Sequence, residues 1–73
     1  MTRIEELLYE NSNRPEIQEK IRQAAVKGAA DEGFSLVIGY DNSLKFGDKE
    51  TYENQSDALA AAESRIEETV NLD

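Results

Sequence analysis

The stretch Phe34 to Gly47, FSLVIGYDNSLKFG, limits what this chain can become, because it alone alternates with a plain period of two. Phe34, Leu36, Ile38 and Tyr40 fall on one face, and Ser35, Val37 and Gly39 on the other. Asp41-Asn42-Ser43 then supplies turn chemistry: short polar side chains that bond their own backbone and tolerate left-handed angles. Leu44 and Phe46 resume the alternation, so the pattern predicts a β-hairpin. A two-stranded hairpin is marginal in water by itself. Its apolar face, with Ser35, Val37, Gly39 and Lys45 left to solvent on the other side, must therefore be covered by the flanking segments.

Both flanks read as helical. Thr2 and Glu5 have the spacing of a capping box, and Ile4, Leu7 and Leu8 make a stripe, which predicts a short helix over residues 3–11. Asn11-Ser12-Asn13 breaks it. Asn13 is the expected cap of a second helix, with Pro15 in the first turn, where a missing N–H costs nothing. Ile17, Ile21, Ala24, Ala25 and Gly28 follow at helical spacing. The lower part of that face is small, so another element can approach closely there. This helix should stop near Glu32, with Gly33 as the left-handed residue beyond it. After the polar break Gly47-Asp48-Lys49-Glu50, Thr51 and Tyr52 either extend the sheet or lead into a last helix over residues 55–70, capped by Asn54. Leu59, Ala62, Ile66 and Val70 form its apolar stripe, Ala58, Ala60 and Ala61 add helix propensity, and the last residues should fray. The expected fold is α+β in the order ααββα: two N-terminal helices, a two-stranded antiparallel hairpin and one C-terminal helix, packed on one face of the hairpin as a single domain over residues 1–73.

Composition narrows the chemistry. With no Cys there is neither a disulfide framework nor a thiolate metal site, and with no His the commonest general base and metal ligand are missing. No apolar run approaches the ~20 residues that span a bilayer, and the acidic start MTRIEELLYEN lacks the build of a signal peptide. The expected compartment is the cytoplasm, where Asn54-Gln55-Ser56 is a chance sequon. A calcium loop counted from Asp41 fails, because Lys45, Phe46 and Tyr52 stand where ligand, glycine and ligand are required. Gly28, Gly33, Gly39 and Gly47 have no phosphate-cradle spacing. Glu67 and Glu68 are adjacent carboxylates, but no apolar pocket surrounds them to shift a pKa. No enzyme, cofactor or metal site is expected.

Charge is the strongest remaining signal. Sixteen acidic and eight basic side chains give a net charge of −8. The excess is uneven: residues 1–11 carry −2, residues 12–33 are neutral, residues 34–52 carry −1 and residues 53–73 carry −5. This opposes direct binding to nucleic acid. Asp57, Glu63, Glu67 and Glu68 on the last helix, with Asp73 at its end, and Glu5, Glu6 and Glu10 on the first, would form one acidic surface if the two helices lie side by side. Such a face can simply solvate a small protein. It can also stand in for a phosphate backbone, since acids on successive turns lie ~5–6 Å apart, close to phosphate spacing. Tyr9 is the tyrosine expected to be exposed as an interface anchor, whereas Tyr40 and Tyr52 are expected to pack at the core edge.

A small acidic chain without Cys or His, with one hairpin among helices, is similar in general style to phage-encoded inhibitors of host defence, anti-CRISPR proteins among them. That resemblance, one of size and charge, implies a non-enzymatic inhibitor that occupies the basic surface of a nucleic-acid-handling protein such as a CRISPR effector or another nuclease. The partner-binding residues would be Asp57, Glu63, Glu67, Glu68, Glu5, Glu6, Glu10 and Tyr9. The alternative is a structural or accessory homodimer joined through the hairpin edge and apolar helix faces.

Overall fold

The structure is a computed structural model that describes residues 2–47 and 52–72, apart from the side chains of Tyr52 and Glu53. Its elements are α1 (Arg3–Glu10), α2 (Pro15–Asp31), β1 (Leu36–Ile38), β2 (Leu44–Phe46) and α3 (Tyr52–Thr69). The ααββα order and the antiparallel hairpin are as expected, with Leu36 opposite Phe46, Val37 opposite Lys45 and Ile38 opposite Leu44. The expected polar break at Asp48-Lys49-Glu50, together with Thr51 and Asp73, lies outside the described residues.

The helix ends follow from side-chain chemistry, with two corrections. Thr2 and Glu5 form the full capping box on α1. Asn13 does not cap α2. The N-cap is Arg14, which makes no side-chain cap bond, and Pro15 is the first helical residue. A residue before proline is pushed out of the helical region, so Arg14 takes the non-helical position at φ −128° and Asn13 lies one residue too far out. The carbonyls left over at the end of α1 are instead met by neighbouring side chains. The buried Asn11 amide donates to Leu7 O at 2.8 Å, and Gln18 Nε2 reaches back from α2 to Leu8 O at 2.9 Å.

At the far end of α2, Gly33 has φ +83°, Gly33 N–H donates to Ala30 O, and Phe34 N–H donates to Ala29 O. This is a Schellman ending. It throws Phe34 back over the helix, where its ring meets Phe46 edge-on at 6.5 Å. The second correction concerns α3, which starts at Tyr52, so Asn54 sits inside it rather than at its cap. Tyr52-Glu53-Asn54 contains no glycine or proline to stop the helix from extending upstream.

The core joins Ile4, Leu7 and Leu8 of α1, Ile21, Ala24, Ala25 and Ala29 of α2, Leu36 of β1, and Ala58, Ala62 and Ile66 of α3, with Val70 just beyond. The packing centres on α2: α3, β1 and α1 each make their main inter-helix or helix–sheet contact with it, and α2 and α3 both touch the hairpin. Ala58, expected only to raise helix propensity, is completely buried, while Leu59 is half-buried at the rim. The reason is the closeness of α2 and α3. A Cβ added at Gly28 would stand 2.6 Å from Ala61 O and 2.8 Å from Ala62 Cα, so only small side chains fit along this seam. The helix ends at Thr69, one residue short of the expected 70, and beyond it Val70 is buried while Leu72 packs on the core.

The expected alternation ends one residue early. A turn closes from Gly39 to Asn42, whose N–H donates to Gly39 O at 2.9 Å, with Asn42 at φ +66°. Tyr40 is therefore carried in the turn and is fully exposed, not packed at the core edge. The Tyr52 side chain lies outside the described residues.

Gly28→Ala should lower stability by about 1–3 kcal/mol, because overpacking against the α3 backbone outweighs the ~1 kcal/mol gain in helix propensity. Urea unfolding followed by circular dichroism would measure it. A midpoint at or above that of the wild type would show that the seam opens without cost.

Candidate functional site

The candidate carboxylates fall into three environments. On α1, Glu5 is committed to its own helix: its Oε1 accepts from Thr2 N–H and Thr2 Oγ1, both at 2.9 Å. The backbone N–H of Thr2, then its hydroxyl, hold the Glu5 carboxyl below the ordinary glutamate range. Glu6 and Glu10 are exposed but share Arg3, whose Nη1 lies 4.0 Å from Glu6 and 3.8 Å from Glu10. The outer face of α1 is thus partly compensated. Tyr9 stands on this outer face and is 73% exposed, as expected.

On α3 the situation differs. Asp57, Glu67 and Glu68 are exposed and Glu63 is half-buried, and none of the four has an ion-pair partner among the described residues. The single base of residues 53–73, Arg65, is engaged by Asp31 across the α2–α3 seam. A rotation of ~100° per residue sorts the carboxylates into two rows. Asp57 and Glu68 lie almost in line, ~16 Å apart along the axis, whereas Glu63 and Glu67 are neighbours one turn apart on another flank. The adjacent pair Glu67 and Glu68 straddles the two rows.

The structure does not make α1 and α3 principal partners, since each packs chiefly on α2. Side-by-side contact between the terminal helices therefore does not hold the acidic residues together.

A second surface, invisible in the local patterns, is a groove between α2 and β1. Val26, Val37 and Tyr40 line it, with Glu19, Gln23 and Lys27 on the α2 side. Val26 and Val37 were legible only as apolar residues off the expected stripes. A further contact that no local spacing signals is Arg22 Nη2 donating to Asn42 Oδ1 at 3.0 Å, which pins the hairpin turn to α2. Inside the turn, Asp41 Oδ1 accepts from the Ser43 hydroxyl and N–H, and these bonds, the hydroxyl first, lower its pKa.

Among the described residues, no three metal-ligating side chains gather, and no helix is long and apolar enough to cross a membrane. Comparison with protein-family models, with curated proteins and with solved structures finds no match to this chain.

The Glu5 bonds set a pH dependence. A carboxyl whose folded pKa is depressed contributes stability above its unfolded value and loses it as pH falls through the folded one. For Glu5 the contribution is complete above the ordinary 4.5 and disappears below it. In Glu5→Gln the loss of stability on acidification should accordingly be shallower than in the wild type, read from urea midpoints at a series of pH values. Equal slopes would remove Glu5 from the acid response.

Proposed function

We propose that this chain is a non-enzymatic binding protein that inhibits a nucleic-acid-handling partner by occupying its basic surface, in the manner of phage anti-defence inhibitors of the anti-CRISPR kind. The compartment in this reading is the cytoplasm, and the target class is a nuclease such as a CRISPR effector. The observation that carries the reading is the uncompensated outer face of α3. Its one base is engaged across the seam by Asp31 of α2, and Asp57, Glu67 and Glu68 are left exposed on a helix docked along α2.

Of the α3 carboxylates, Glu63 and Glu67, one turn apart, present charge at a spacing close to that of a phosphate chain, and a negative field speeds encounter with a basic cleft. The weight of the interaction rests on Asp57, Glu67 and Glu68, with Glu63 at the rim. Glu6, Glu10 and Tyr9 contribute from α1, whereas Glu5 serves its own helix cap.

The test is a variant with Asp57→Asn, Glu63→Gln, Glu67→Gln and Glu68→Gln, carried on a tagged chain through capture from lysate. The wild type should retain nucleic-acid enzymes that heparin or moderate salt releases, since exposed charges are screened within ~8–10 Å, and it should inhibit the captured enzyme. The variant should fold with an unchanged circular-dichroism spectrum, and it should capture and inhibit nothing. Capture that survives the four substitutions, or that salt leaves untouched, would refute this reading.

A further inference from the structure

Four large apolar side chains are exposed among the described residues, and three of them, Val26, Val37 and Tyr40, line the groove of about 800 Å3 between α2 and β1. The same groove follows an open strand edge. Gly47 N–H donates to Ser35 O and Gly39 N–H to Ser43 O, both at 2.9 Å. With Val37 opposite Lys45, antiparallel alternation makes Ser35, Val37 and Gly39 the residues bonded to β2. Leu36 and Ile38 therefore turn their N–H and C=O groups to the other edge of β1, where no described residue bonds them.

We propose that this groove is where a second copy of the chain docks, β1 pairing antiparallel with its own counterpart and α2 lying antiparallel to the second α2 across a two-fold axis. Charge argues for this occupant. The chain carries −8, but residues 12–33, which supply the helical wall of the groove, are neutral overall. This is the flank on which two acidic copies meet with least repulsion.

The wall is also self-complementary, as a two-fold contact requires. Glu19 and Lys27 sit about two turns apart, on either side of Gln23. Two antiparallel copies of α2 crossing at Gln23 set Glu19 of each opposite Lys27 of the other. Arg22 is already held by Asn42 and Glu19, which leaves Lys27 as the groove cation without a partner among the described residues. Strand pairing satisfies the open groups of Leu36 and Ile38, brings the two Val37 side chains together and covers Val26 and Tyr40. A dimer at the small end of stable interfaces covers about 600 Å2 on each protomer, roughly an eighth of the 5025 Å2 surface. The α3 carboxylates lie outside this contact, so the dimer would carry two acidic faces.

Sedimentation equilibrium on the full chain, from micromolar to millimolar concentration, tests the proposal. The mass should rise from 8.2 kDa towards twice that value. Val37→Lys, at a position 60% exposed, should leave the urea midpoint unchanged at a concentration where both proteins are monomers, and should weaken the dimer by about tenfold or more, because two ammonium groups then meet on the axis. Lys27→Glu alone should weaken it similarly, and adding Glu19→Lys should restore it. A monomer at every concentration, or a dimer indifferent to Val37→Lys, would overturn the interface. A charge swap that fails to restore association would overturn the antiparallel arrangement of α2.

Discussion

The close approach of α2 and α3 at Gly28 is the contact on which the rest of this fold depends. Gly28 meets the backbone of Ala61 and Ala62, and Ala24, Ala25 and Ala29 share one core cluster with Ala58 and Ala62. A chain of this length cannot fill a wide interior with large side chains. Small residues let the two longest helices approach until their backbones touch, and alanine loses no rotamer freedom on burial. The large buried side chains, Ile4, Leu8, Ile21 and Ile66, then close the space around that seam.

From this seam follows the central place of α2. It receives α3 along one flank and β1 along another, and α1 packs on it as well. The hairpin, too short to stand alone, is secured to α2 twice: by the Schellman turn that throws Phe34 back, and by Arg22 reaching Asn42. These attachments fix the inner face and the turn of the sheet. They do not cover the outer side of β1, so the open strand edge and the α2–β1 groove are consequences of how the hairpin is held.

Charge distribution is likewise a product of packing. Exposed ion pairs such as Arg3 with Glu6 and Glu10 contribute little stability, yet they decide which carboxylates remain uncompensated. Arg3 softens the outer face of α1, Glu5 is absorbed by its cap, and Arg65 is turned from α3 towards Asp31 on α2. The charge is therefore less even than the list of acids implies, and Asp57, Glu63, Glu67 and Glu68 of α3 have no ion-pair partner among the described residues.

The order of elements, the capping box of α1, the Gly33 ending of α2, the hairpin and the small face around Gly28 are all legible in local spacing along the chain. Each is written in residues within a few positions of one another, where backbone geometry and side-chain period act directly. Other features come from packing. The narrow seam chose Ala58 over Leu59 for the interior, whereas the shift of the α2 cap from Asn13 to Arg14 before Pro15 and the Gly39–Asn42 turn that carries Tyr40 into solvent are local effects that the hydrophobic period does not show. Which acids keep a partner, and where a groove opens, depend on side chains brought together from distant positions, such as Arg65 with Asp31 and Arg22 with Asn42. No local pattern encodes such meetings, because they exist only after α2 has gathered the other elements around it.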